Sequence, residues 1–111
     1  MPKTIVINSD TMGRGDDELG ATLIGSFLRT VAAAEQKPAA VIFYNAGVRL
    51  AADDSPVLDA LEALERAGVD LLACGTCLAH FSLQERLAAG RESNMQEIVT
   101  LLNGPNEVVT L

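Results

Sequence analysis

Cys74 and Cys77, the ends of Cys74-Gly75-Thr76-Cys77, are the reactive side chains that this sequence holds at a chemically useful spacing. The pair follows the apolar run Val69-Asp70-Leu71-Leu72-Ala73 and precedes Leu78-Ala79-His80-Phe81, a stretch compatible with a helix. A buried strand therefore hands over to a helix N-terminus at the thiols. Free backbone N–H groups and the positive end of the helix dipole favour a thiolate there. Persulfide chemistry uses such a pair: one exposed thiolate accepts a sulfur, and a second thiol displaces it by forming a disulfide. Chain position makes Cys74 the acceptor and Cys77 the resolving thiol.

Other chemistries of the same residues are weaker fits. Zinc would draw on Cys74, Cys77 and His80, three ligands where a structural site needs four, so Asp10 or a neighbouring subunit would have to complete it. Thioredoxin-like exchange places its motif early in the domain and opposite a proline loop, which is not apparent here. In the plainest reading both cysteines are buried small hydrophobes. His80, three residues after Cys77 on the same helix face, is a candidate proton donor or thiolate stabiliser. Neither a resident metal nor an organic cofactor is expected.

The elements that must position these groups are legible in the periodicity. Thr4-Ile5-Val6-Ile7 reads as a first, central strand stopped by Asn8-Ser9-Asp10. Leu19, Leu23, Phe27 and Val31, with Ile24 and Leu28 beside them, predict a long amphipathic helix capped by Asp16. Pro38 precedes a second strand, Ala39 to Tyr44, ending at Asn45. A loop through Gly47 and Asp53-Asp54 leads to Ser55 as N-cap and Pro56 at the first helical position, with Leu58, Leu61 and Leu64 continuing to Gly68. The third strand is Val69 to Ala73. After Gly90, Asn94 caps a helix through Ile98, Leu101 and Leu102, and Gly104-Pro105 ends it before a last strand, Glu107 to Leu111.

Strands alternating with helices predict an α/β fold, a three-layer α/β/α sandwich around a mainly parallel sheet of four to five strands. Residues 1–111 form a single domain, with no linker, repeat or low-complexity segment. Ligands of such sheets bind beyond the carboxyl ends of the strands, where strand order reverses. Those ends carry Asn8 and Ser9, then Asn45, then Cys74, so Asn8, Ser9 and Asn45 are the candidate substrate-binding residues. Gly13-Arg14-Gly15 lacks the third glycine of a dinucleotide fingerprint and the lysine of a P-loop. Asp16, Asp17 and Glu18 complement the helix dipole there, leaving Arg14 free for an anion or a partner.

Composition narrows the function further. With 15 acidic against 8 basic residues, the net charge of −7 argues against nucleic acid or an anionic membrane as partner. No signal-like leader and no bilayer-length apolar run is evident. Two cysteines this close cannot close a stabilising loop, so they do not read as a secreted disulfide framework, and a cytoplasmic location is expected. Hydrophobic residues make up 49% of the chain but aromatics 4%, an aliphatic richness that suits a buried parallel sheet or an oligomer surface.

Taken together, the run from Ile7 to Gly20, Ile42-Phe43-Tyr44-Asn45-Ala46-Gly47-Val48, Ser55-Pro56-Val57-Leu58, Gly68-Val69, Cys74-Gly75-Thr76-Cys77-Leu78 and Ser93-Asn94-Met95 resemble the DsrE-like domain that forms the C-terminal half of YedF-type proteins. The resemblance covers nearly the whole chain. It implies a three-layer α/β/α fold, trimeric or hexameric homo-oligomers, and a sulfur-relay or sulfurtransferase-like protein with a persulfide on Cys74 or Cys77. YedF-type proteins are also associated with selenium metabolism. They usually carry an N-terminal SirA/TusA-like domain, whereas this chain begins at the first DsrE-like strand; the resemblance thus implies a separate SirA/TusA-like sulfur-carrier partner, or an excised or stand-alone domain. The competing expectation is a non-catalytic oligomeric regulatory or zinc-binding module with structural cysteines.

Overall fold

The computed structural model describes residues 2–111. In chain order its elements are β1 (Lys3–Ile7), α1 (Asp17–Ala33), β2 (Ala40–Phe43), a 3-10 helix (Asn45–Ala51), α2 (Leu58–Arg66), β3 (Asp70–Cys74), α3 (Gly75–His80), β4 (Arg91–Ser93), α4 (Met95–Leu102) and β5 (Glu107–Thr110). The five strands form one all-parallel sheet in the order β4-β3-β2-β1-β5. An α/β fold with a parallel sheet is thus what the alternation predicts.

The register sorts the side chains by face. Ile5 lies level with Val41 and Val109, and Val41 with Leu71, so these four share one face. α1 packs against α2 on that side, and Phe27 and Val31 of α1 border the same groove as Ile5 and Val109. Val6, Ile42, Leu72, Cys74, Arg91 and Ser93 belong to the other face. α4 covers it: the Arg91 guanidinium bonds both Asp70 and Glu97, at 2.9 and 2.7 Å, and the Ser93 hydroxyl donates to Glu97. The bond from Arg91, then that from Ser93, holds the Glu97 carboxyl down at about 2. Right-handed crossovers demand this division. The chain steps from β1 to β4 in one direction and returns to β5 in the other, which sends the last helix to the opposite face.

Caps form where short-range chemistry dictates. The Asp16 carboxylate accepts the Leu19 N–H at 2.8 Å, and the Asn94 side chain accepts the Glu97 N–H at 2.9 Å. Ser55 differs from expectation. Its hydroxyl accepts the Val57 N–H at 3.2 Å, closing a turn before the helix, which starts at Leu58 rather than Pro56. β4 and the 3-10 helix are absent from the sequence reading. β4 has three residues, two of them exposed, so it carries no strand-like apolar pattern.

One buried group lacks a partner. Thr4 is fully buried in β1, and its hydroxyl makes no hydrogen bond. Desolvating a hydroxyl without a bond is unfavourable, so Thr4→Val, which keeps the shape, should stabilise the fold by roughly 1 kcal/mol. Thermal denaturation of the two proteins checks this, and an equal or lower Tm for the variant would contradict it.

Candidate functional site

The chain turns sharply where β2 ends. Phe43 pairs in register with Ile7, and the next residue, Tyr44, donates its N–H to the Ile7 carbonyl at 3.2 Å. Asn45 then adopts the left-handed conformation, φ 51°, which asparagine tolerates better than most residues. Its side-chain oxygen accepts the Ala46 N–H at 2.8 Å and steadies the turn. Gly47 follows against the end of β1, where a Cβ would collide with the Ile7 carbonyl, so the 3-10 helix packs closely only because residue 47 has no side chain.

This turn aims the Asn45 backbone N–H at the Cys77 sulfur, 3.0 Å away. Cys77 is the third residue of α3 and is half-buried, whereas Cys74 is 3% exposed. Residue 74 still belongs to β3, level with Ser93, so its side chain falls on the face that α4 covers. Both thiols are free, and Cys74 is close enough to interact with Cys77. Burial pushes the Cys77 thiol above its ordinary range, the Asn45 N–H pulls it back, and the neighbouring Cys74 adds to the rise. Helix α3 has only six residues, too few for a strong dipole to reverse that balance.

A raised thiol pKa means that thiolate accumulates only in alkali. Iodoacetamide alkylation of Cys77 in the native protein should therefore keep accelerating from pH 7 through pH 9 rather than levelling off near neutrality. Rates from peptide mapping across that range check it; a plateau below pH 8 would contradict the balance just described.

The structure brings Asn8, Ser9 and Asn45 together. All three line one cleft of about 630 Å³ with Thr11, Arg14, Asp17 and Tyr44. The cleft reaches from Asn8 after β1 to Leu111 after β5, and strand order reverses between those two strands. Ser9 is committed to its own loop, where its hydroxyl bonds the Thr11 hydroxyl at 3.1 Å and accepts the Thr11 N–H at 3.2 Å. Cys77 meets the cleft through Asn45.

A second cleft, of about 450 Å³, adjoins it across Thr11. Arg49 stands 4.3 Å over the Phe81 ring and 3.6 Å from the Asp10 carboxylate there. Arg49 and Phe81 escaped sequence reasoning because the segment around Arg49 reads as loop and Phe81 reads only as the end of a helix-compatible stretch. His80 is exposed and packs edge-on against Phe81, ring centres 5.0 Å apart. Among the described residues no three of His, Cys, Asp and Glu gather in an arrangement suited to a metal ion. A zinc site built on the cysteines would need ligands from another molecule. No helix among the described residues is long and apolar enough to cross a membrane.

Comparison with known proteins places this geometry in a family. A protein of unknown function from Methanobacterium thermoautotrophicum superposes with a TM-score of 0.72 at 23% identity, covering 99% of this chain and 98% of its own. The ychN protein from E. coli gives 0.67 at 16% identity over the whole of both chains. A conserved protein of unknown function from Bacteroides thetaiotaomicron gives 0.60 at 15% identity, covering 98% and 94%. At such identities the likeness is one of fold. No curated protein matches the chain significantly. The model of the DsrE/DsrF-like family matches residues 6–111, nearly the full length, and the chain belongs to that family.

Proposed function

We propose that this protein relays sulfur as a persulfide carried on Cys77, with Cys74 as the assisting thiol. The observation that carries the reading is the Asn45 N–H directed at a half-buried sulfur with a second free thiol beside it. The DsrE-like family is commonly linked to sulfur relay, which supports the same reading. The greater exposure of Cys77 supports roles opposite to those that chain position suggests, with Cys77 as the sulfur that meets the donor. The Cys77 thiolate attacks the outer sulfur of a persulfide donor, the donor S–S bond breaks, and the donor leaves as its thiolate. An N–H donor beside the sulfur stabilises negative charge on Cys77 in both the attacking and the loaded form. Intact-mass spectrometry after exposure to a persulfide donor, with peptide mapping of any added sulfur, tests this. Absence of sulfur at Cys77 would overturn it.

Several parts of this proposal rest on the family resemblance. They are a YedF-type subfamily, delivery of selenium by the same chemistry, and a SirA/TusA-like sulfur carrier as partner; a reducing cytoplasmic setting is proposed from the cysteine spacing instead. The protein also forms homo-oligomers in this proposal. Met95, Val99 and Leu102 make an exposed apolar stripe at helical spacing along α4, and exposed Val108 of edge strand β5 shares that sheet face. Light scattering at micromolar concentration should give a multiple of the single-chain mass, and the V99E/L102E double variant should reduce it to one chain. A wild-type monomer would contradict this.

A second reading, an oligomeric regulatory module with structural cysteines, draws on the burial of Cys74. Slow alkylation of both thiols together with no sulfur loading would favour it.

A further inference from the structure

Arg14 is exposed and sits between two glycines in the left-handed region, Gly13 at φ 85° and Gly15 at φ 133°. A Cβ at either glycine would meet nothing within 4 Å, so the glycines serve the path of the loop rather than its packing. Arg29, Arg49, Arg86 and Arg91 each have a carboxylate within 4.0 Å. Among the described residues Arg14 and Arg66 have none, and of these two it is Arg14 that lines the cleft beside Asn45; Asp16, Asp17 and Glu18 begin two residues after it. Asp17 likewise has no cationic side-chain partner; it complements the α1 dipole from the first turn, and the capping bond is made by Asp16. Both unpaired charges line the cleft whose wall is Asn45, the residue bonded to the Cys77 sulfur.

An unpaired cation and an unpaired anion in one cleft discriminate against simple ions. Asp17 repels a plain anion, Arg14 repels a plain cation, and a zwitterion satisfies both. The planar guanidinium matches a carboxylate bidentately, and an ammonium suits a carboxylate acceptor. A cleft of about 630 Å³ holds a molecule of amino-acid size with water around it.

We infer that this cleft binds the α-amino-acid end of a small hydropersulfide, its carboxylate on Arg14 and its ammonium on Asp17, and so presents the sulfane sulfur to Cys77. The donor role rests on the sulfur-relay reading; the amino-acid cleft does not. The reaction is R–S–SH plus Cys77–SH giving R–SH plus Cys77–S–SH. The Cys77–sulfur bond forms, the donor S–S bond breaks, the leaving thiolate takes up the proton that Cys77 releases, and no external oxidant or reductant is consumed.

Three donors separate the two charges. The hydropersulfide of L-cysteine carries both, that of 3-mercaptopropionate only the carboxylate, and that of cysteamine only the ammonium. Loading of Cys77 is followed by intact mass in the wild type, Arg14→Gln and Asp17→Asn. R14Q should slow the cysteine and mercaptopropionate donors roughly twofold to fivefold, the range for an exposed ion-pair contact, and leave cysteamine unchanged. D17N should slow cysteine and cysteamine and leave mercaptopropionate unchanged. Equal effects on all three donors, or none, would overturn the assignment.

In parallel, S-methyl-L-cysteine, which has no sulfane sulfur, is titrated against wild type and R14Q while backbone amide shifts are followed. Saturable binding at the Ser9 and Asn45 amides, weakened several-fold in R14Q, is expected. Its absence would overturn the cleft. Charge-dependent binding without any loading of Cys77 would overturn the donor role and the sulfur-relay reading while upholding the amino-acid cleft. Loading that ignores both charges would overturn the cleft and leave sulfur relay standing.

Discussion

Cys77→Ser should take up no sulfur from a persulfide donor, whereas Cys74→Ser should still load and then hold its sulfur longer. The two thiols differ in access, not in type. Cys74 ends β3 with its side chain on the face covered by α4 and is 3% exposed, while Cys77 is half-buried and faces the Asn45 N–H. A donor can therefore reach Cys77, and Cys74 can act only on what Cys77 carries. Its attack on the Cys77 sulfur would expel hydrosulfide and leave a Cys74–Cys77 disulfide that a dithiol reductant must reopen. Removing Cys74 closes that exit. The measurement is the added mass of one sulfur and its decay after the donor is removed. Loading of C77S together with failure of C74S to load would return the acceptor role to Cys74.

Gly47→Ala should produce the largest loss of stability, roughly 2–3 kcal/mol and on the order of 10 °C in Tm for a domain of this size. A methyl at residue 47 meets the Ile7 carbonyl, which is backbone at the end of interior strand β1, already held by the Tyr44 N–H and unable to yield. Either the 3-10 helix lifts away or β1 shifts. Both movements displace Asn45, two residues earlier, and with it the N–H on Cys77. Thermal melts report the first effect, and the alkylation rate of Cys77 at fixed pH the second. Asn45→Gly is the control: glycine keeps the left-handed backbone and the N–H, so Cys77 reactivity should stay close to wild type. A G47A protein with unchanged Tm would show that the close approach is not needed.

What the sequence by itself determined is local in origin. The i, i+4 spacing of Leu19, Leu23, Phe27 and Val31 specifies α1, and the Asp16 and Asn94 side chains cap their helices through bonds spanning three residues. The apolar runs at Ile5, Val41 and Leu71 specify buried strands, and their alternation with helices requires a parallel sheet. The meeting of Cys74 and Cys77 with a strand-to-helix junction was legible for the same reason: neighbours within one turn decide it. So was the gathering of Asn8, Ser9 and Asn45, which follows from strand direction.

The tertiary structure decided what depends on partners distant in the chain. The order β4-β3-β2-β1-β5 places β5 beside β1 and so creates the cleft between them. β4 forms because Arg91 and Ser93 can pair with β3 and bind Glu97, not because its three residues favour a strand. The accessible thiol is set the same way. Register with β4 turns Cys74 onto the α4 face, and a hydrogen bond spanning 32 residues ties Cys77 to Asn45. Propensity acts within a few residues, whereas side-chain access and N–H direction follow from which surfaces close against each other, and only the packed molecule settles those.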